Sequence, residues 1–71
     1  MSFKVGDIVQ LKSGGPEMTV IKIIGTTTTK DENFIYQQRG YTTGDLICQW
    51  FINDKLETSP FKPDTVDPIE D

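Results

Sequence analysis

Cys48 carries the only thiol in the chain and is the first side chain to consider for catalysis. A nucleophilic cysteine needs a base or a lowered pKa, which histidine most often supplies, and the sequence contains no His. Cys48 also alternates with Leu46 and Trp50 along a strand-like stretch, where a buried cysteine acts as a small hydrophobic residue. We therefore predict that Cys48 belongs to the core and that the protein is not an enzyme.

Three aspartates have the chemistry of an acid–base pair or of a site for a hard cation: Asp7, Asp45 and Asp54. Each lies beside Gly or Asn, a setting in which Asp usually bonds to the backbone of its own turn. The Ser13–Pro16 stretch likewise lacks the Gly-Lys-Ser/Thr ending and the following helix of a phosphate-binding loop. These motifs predict turns, and we expect no metal and no cofactor.

Aromatic residues offer a different chemistry, because exposed rings bind bases, prolines or cations. Trp50 and Phe61 fit the core, whereas several other rings fall on outward or loop positions. With one neighbouring cation, they form our candidate binding set: Phe34, Tyr36, Arg39, Tyr41 and Phe51. The alternative is structural, since small domains also use rings to cover a thin core or a partner subunit.

The charge distribution bears on nucleic-acid binding. The net charge is −4, but four of the eleven acids lie in the last eight residues, and the rest of the chain is neutral. A nucleic-acid module would use the basic residues Lys4, Lys12, Lys22, Lys30 and Arg39. A neutral body disfavours that function, although an acidic tail can shield a basic face in the free state.

The elements that must position these residues are strands. Residues 46–51 are the central strand, with Leu46, Cys48 and Trp50 facing inward and Ile47, Gln49 and Phe51 outward. Three more strands are predicted at residues 8–12, 18–24 and 56–60, and Leu56 in the last of them should face inward. In residues 18–24, strict alternation would bury Lys22, so we predict a bulge near Ile21.

The stretch between the second and central strands is long and rich in threonine and aromatic residues. We predict a hairpin arm over residues 26–41, turning at residues 30–33, and no helix longer than one turn. The whole is a single small β-barrel domain over residues 1–66, with residues 67–71 as a flexible acidic tail.

Two parts of the sequence resemble a known family. Residues 3–20, with the string Leu-Lys-Ser-Gly-Gly-Pro-Glu-Met-Thr-Val, and the Cys-Gln-Trp-Phe strand at 48–51 resemble the YodC-like small bacterial and phage proteins. That resemblance implies a small β-barrel-like protein, and residues 26–41 are longer than the family usually has there. The Val-Gly-Asp-Ile-Val entry is also similar to the first strand of SH3-like barrels, including KOW and Tudor modules.

We therefore expect an all-β fold, a small SH3-like barrel of four or five antiparallel strands with a protruding hairpin arm. Its predicted function is non-enzymatic binding of a protein or peptide through the arm and the exposed aromatics, with a homodimer as one form. A KOW/Tudor-like nucleic-acid module is the alternative. The N-terminus lacks the apolar region of a signal peptide and no apolar run reaches the roughly 20 residues of a membrane span, so we expect a cytoplasmic protein.

Overall fold

The computed structural model describes residues 3–69, and within that range it contains five strands, one α-helix and one short 3-10 helix. In chain order these are β1 (Ile8–Leu11), β2 (Met18–Ile23), α1 (Lys30–Gln38), β3 (Leu46–Ile52), β4 (Lys55–Phe61), the 3-10 helix (Pro63–Thr65) and β5 (Val66–Pro68).

The strands form one open antiparallel sheet in the order β4-β3-β2-β1-β5. Strands β1 to β4 pair consecutively, and β5 returns to pair with β1 at the opposite edge. The prediction of a β domain with four or five antiparallel strands is confirmed. Strands β4 and β5 are the two free edges of the sheet.

The core lies on one face of this sheet. Trp50 and Phe61 pack against it partly buried, with their ring centroids 5.8 Å apart in an edge-to-face arrangement. Leu46 and Cys48 face inward, as the alternation predicted. The fully buried members of the cluster are Val9, Met18, Val20, Leu46, Cys48 and Val66.

Strand β2 contains the predicted bulge. Val20 pairs with Cys48, but the next paired residue is Lys22, opposite Ile47, so Ile21 is the extra residue. The bulge turns Lys22 to the outer face, which avoids the cost of burying its ammonium group.

Both free edges of the sheet carry a proline whose nitrogen points outward. Asn53 and Asp54 form a two-residue turn with positive φ of 51° and 64°, so Ile52 and Lys55 make the first hydrogen-bonded pair of the β3–β4 hairpin. Hydrogen-bonded and non-hydrogen-bonded pairs alternate along the hairpin from that pair, so Pro60 is in a non-hydrogen-bonded pair and its nitrogen points to the free side of β4. In β5, the flanking hydrogen bonds to β1 leave Pro68 in the same outward position. Because proline has no N–H, each edge lacks one backbone donor, at the position of its proline.

Two turns with the sequence Gly-Asp lead into β1 and β3 and share one geometry. Gly6 and Gly44 have φ of 97° and 99°, which glycine adopts without strain. The carboxylate in each turn accepts a hydrogen bond from the backbone N–H three residues earlier, at 2.8 Å for Asp7 and 3.0 Å for Asp45. Both aspartates are turn residues, as predicted.

The predicted hairpin arm is wrong. Residues 30–38 form helix α1, because Thr29 and Glu32 build a capping box that starts a helix at Lys30. The preceding threonines were interpreted as strand residues, but they lie in turns, where Thr27 and Thr28 bond to backbone N–H groups. Within residues 3–69, no helix is long and apolar enough to cross a membrane.

The predicted flexible tail over residues 67–71 is wrong in its first part. Asp67 and Pro68 belong to β5, and the N–H of Ile69 donates to the carbonyl of Ile8 at 2.8 Å. Pairing with β1 orders this segment, because Val66 enters the core and holds β5 in place. Residues 70 and 71 lie outside the described residues.

Candidate functional site

The face of the sheet opposite the core, which we call the outer face, is divided into two halves. Ile47, Gln49 and Phe51 alternate along β3 and point to this face, as predicted from the sequence. Their cross-strand partners share the face, because directly paired residues in an antiparallel sheet point the same way. We call Lys22, Ile47 and Pro60 the covered half, and Ile8, Thr19, Gln49, Phe51, Leu56 and Thr58 the open half.

Ile47 in the covered half is only 2% exposed, although it lies outside the core cluster. Its neighbour Lys22 donates from Nζ to Oε2 of Glu32 on helix α1, at 2.6 Å. The connection between β2 and β3, residues 24–45, therefore crosses this end of the outer face and shields Ile47. Two backbone hydrogen bonds close the base of the connection: the N–H of Ile24 donates to the carbonyl of Asp45 at 2.9 Å, and the N–H of Gly44 donates to the carbonyl of Ile24 at 2.8 Å.

Polar contacts hold helix α1 and the turns before it in place. Thr29 and Glu32 cap the helix reciprocally. The N–H of Gly25 donates to Thr28 Oγ1 at 2.8 Å and to Asn33 Oδ1 at 3.1 Å. The Lys22 hydrogen bond, and then the backbone hydrogen bond at Thr29, lower the pKa of Glu32. These contacts fix the helix although none of its residues is buried.

The open half exposes apolar side chains at fixed positions. Phe51 is 70% exposed and Leu56, its direct cross-strand partner, is 48% exposed. Beside them lies a shallow cavity of about 230 Å³. Its lining residues are Glu17, Thr19, Gln49, Trp50, Phe51 and Leu56.

Leu56 was predicted to face inward, and the structure places it on the outer face. The reason is the two-residue Asn53-Asp54 turn, which pairs Ile52 with Lys55 and therefore Phe51 with Leu56. Asn-Asp between two apolar runs is the signal that would have fixed this register from the sequence.

The candidate binding residues are distributed over three places. Phe34 is 62% exposed on the solvent side of α1, whereas Tyr36 on the same helix is half-buried. Arg39 ends the helix, with its N–H donating to the carbonyl of Tyr36 at 3.0 Å. Phe51 lies on the open half of the sheet, and Tyr41 follows the helix.

Tyr41 belongs to a separate polar cluster with Asp45 and Lys62. The Lys62 Nζ lies 5.7 Å from the centre of the Tyr41 ring and donates to Oδ2 of Asp45 at 2.6 Å. Asp45 is 4% exposed, so Lys62 supplies the charge partner that a buried carboxylate needs. This cluster joins the β2–β3 connection to the residue that follows β4.

The remaining reactive and charged groups among residues 3–69 are the Cys48 thiol, the acidic side chains and the basic side chains. Burial raises the pKa of the Cys48 thiol to about 11, which keeps it protonated and poorly nucleophilic at neutral pH. Among residues 3–69, no three His, Cys, Asp or Glu side chains group to hold a metal. Of the proposed nucleic-acid-binding cations, Lys22 is paired with Glu32, and Lys12 shares a cavity lining with Asp64 and Asp67.

Residues 4–66 match the family described as Uncharacterized small protein (DUF2158). No curated protein and no solved structure matches the chain. Because the match covers β1 to β4, both helices and the first residue of β5, the chain belongs to the DUF2158 family of small proteins.

Proposed function

We propose that this protein is a non-enzymatic interaction module that binds a short segment of another protein on the open half of the outer face. The observation that carries the proposal is the exposure of Phe51 and Leu56 side by side, 70% and 48%, on a rigid pair of strands. Burying a large apolar side chain contributes about 1.5–3 kcal/mol, so this pair provides a substantial part of the affinity for a partner.

The size of the neighbouring cavity favours a protein segment over a small-molecule ligand. Its volume is about 230 Å³, whereas small-molecule and cofactor sites typically enclose about 300–1,000 Å³. A cavity of this size accommodates one side chain. The amide of Gln49 and the hydroxyl of Thr19 line it and can hydrogen bond to the backbone of a bound segment.

The free edges of the sheet are less suitable as binding sites. Strand addition at β4 needs backbone donors that point outward, and Pro60 removes one of them. The outward N–H groups of Leu56 and Thr58 remain as the donors on this side of β4. Side chains on the open half therefore carry the proposed binding, rather than the backbone of an edge strand.

Three finer assignments, of fold type, of family kinship and of compartment, each have their own support. Consecutive pairing of β1 to β4, with β5 returning to β1 after a 3-10 helix, supports an SH3-like barrel. The string at residues 11–20 and the Cys-Gln-Trp-Phe strand support kinship with the YodC-like proteins. A reduced, buried Cys48 supports a reducing compartment such as the cytoplasm.

The test is selection of a displayed random-peptide library on the immobilised protein, followed by Kd measurement with the selected peptides. Phe51→Ala should weaken binding at least about tenfold, because it removes the main apolar contact. Phe34→Ala is the matched control, since Phe34 is 62% exposed on the helix and outside the proposed site.

A loss of binding in Phe34→Ala with none in Phe51→Ala would overturn the proposal and assign binding to the helix. Selection of no peptide, together with salt-dependent binding of RNA or DNA, would replace it with the nucleic-acid alternative.

A further inference from the structure

The open half of the outer face is uncharged except at its margin. Its six residues, Ile8, Thr19, Gln49, Phe51, Leu56 and Thr58, carry no ionisable group. Glu17 is the one ionisable residue in the lining of the cavity at this face. It is exposed and takes part in neither of the ion pairs found within residues 3–69.

The register of the sheet places this carboxylate beside the exposed ring. Thr19 pairs with Gln49, and Glu17 lies two residues before Thr19, just outside β2, at the end of the sheet where β3 continues to Phe51. Both residues line the same cavity. An aromatic face and an unpaired carboxylate are therefore adjacent, with Leu56 on the other side of the ring.

This combination is complementary to a cation on an apolar stem. An arginine or lysine side chain can lie over the Phe51 ring and direct its charge to Glu17, and the planar guanidinium of arginine stacks best. An apolar side chain next to it in the ligand would contact Leu56. A ligand with a carboxylate at the same place would meet Glu17 with like charge.

We propose that the open half binds an extended protein segment in which a basic residue, preferably arginine, stands beside an apolar one. This inference rests on the proposed function, because it names the chemistry of the segment bound at that site. It does not depend on the helix or on the edges of the sheet.

The test uses synthetic peptides built on a selected sequence, with Arg, Lys, citrulline or Glu at one position. The Arg peptide should bind most tightly, and Glu17→Gln should weaken it about twofold to fivefold, the effect of one exposed ion pair. The same substitution should leave the citrulline peptide unchanged. Glu17→Lys should reverse the order, so that the Glu peptide binds more tightly than the Arg peptide.

Glu57→Gln is the matched control, because Glu57 pairs with Trp50 and so faces the other side of the sheet. It should leave every affinity unchanged. Peptides that bind with sensitivity to Phe51→Ala but with equal affinity for Arg and citrulline would overturn this inference and leave the proposed function standing. Peptides whose affinity is unchanged by Phe51→Ala would overturn both this inference and the proposed function.

Discussion

The two halves of the outer face differ in exposure although they are built from one strand. Ile47 and Phe51 lie four residues apart on β3 and point to the same side, yet their exposed fractions are 2% and 70%. The difference comes from the β2–β3 connection, which covers the first position and leaves the second uncovered. The fold therefore has a means of shielding apolar residues on this face, and Phe51 remains outside it.

The cover itself is weakly packed. No residue of helix α1 is buried, and the ion pair between Glu32 and Lys22 joins it to the sheet. Segments with few buried apolar contacts open at a lower free energy than the core of the same protein. Loss of single hydrogen bonds should thus lower the stability of the covered half. Substitutions in the open half should change binding and leave stability unaltered.

The largest expected difference is between Ile47→Ala and Phe51→Ala. Removing a buried Ile side chain costs about 2–5 kcal/mol, a large part of the stability of so small a domain. Removing the exposed Phe51 side chain should change the free energy of unfolding by less than about 0.5 kcal/mol. Urea denaturation of the two variants measures both values. Equal destabilisation would show that Phe51 is covered in solution and that the halves do not differ.

The next largest effect is expected at Gly25, where the connection leaves β2. Gly25 has φ of +83°, and an added Cβ would lie 2.5 Å from Cγ2 of Thr43, in the turn at the other end of the connection. Gly40 is the matched control, with φ of +92° and no atom within 4 Å of an added Cβ.

Both Gly25→Ala and Gly40→Ala carry the cost of positive φ, about 1–2 kcal/mol. Gly25→Ala should cost about 1–3 kcal/mol more, because it forces the two ends of the connection apart. Thermal melts of the two variants give the comparison. Similar decreases in melting temperature in both variants would mean that the base of the connection accommodates the added methyl group at little cost.

A smaller effect is expected from the helix cap. Thr29→Ala removes the hydroxyl that accepts from the Glu32 N–H, and loss of an N-cap costs about 0.5–2 kcal/mol. Thr26→Ala is the control, because only the backbone of Thr26 is hydrogen bonded within residues 3–69. Faster amide exchange at Ile35 in Thr29→Ala alone would support the assigned cap. The same exchange rate in both variants would contradict it.

The sheet was more predictable than the connection because its signals are local and repeated. Alternation of apolar and polar residues assigned the faces of β3. The bulge at Ile21 was predictable because strict alternation along β2 would bury Lys22. The helix was not predicted because four consecutive threonines favour a strand by propensity, whereas the hydroxyl of Thr29 caps a helix. Thr29 and Glu32 three residues apart are the sequence signature of a capping box.

The candidate site was predictable only in part. Exposure of Phe51 follows from alternation on a sheet with one buried face. The burial of Ile47 on the same face does not, because it depends on a distant segment folding back over the sheet. The position of Leu56 beside Phe51 depends on the β3–β4 register, which a short turn sets. The position of Glu17 near Phe51 depends on the β2–β3 register, which no short turn sets.

The smallest expected effect is a pH dependence confined to the covered half. The pKa of Glu32 is lowered in the folded protein by its hydrogen bonds with Lys22 and Thr29. A lowered pKa means that the ionised form is favoured in the folded state. Its contribution to stability is complete above the unfolded pKa, about 4.3, and is lost as the pH falls through the folded value. The ion pair should therefore hold the helix at neutral pH and release it in acid.

Cα chemical shifts of residues 30–38, recorded between pH 2 and pH 7, measure this release. Glu32→Gln is the informative variant, because Gln can still form the capping box while it lacks the charge. The helix shifts of the wild type and Glu32→Gln should differ at pH 7 and converge at low pH, while Gln49 and Phe51 should give the same pH profile in both proteins. If the profiles of Gln49 and Phe51 also differ between the two proteins, the two halves are coupled, and loss of the Glu32 charge would then alter binding at Phe51 as well.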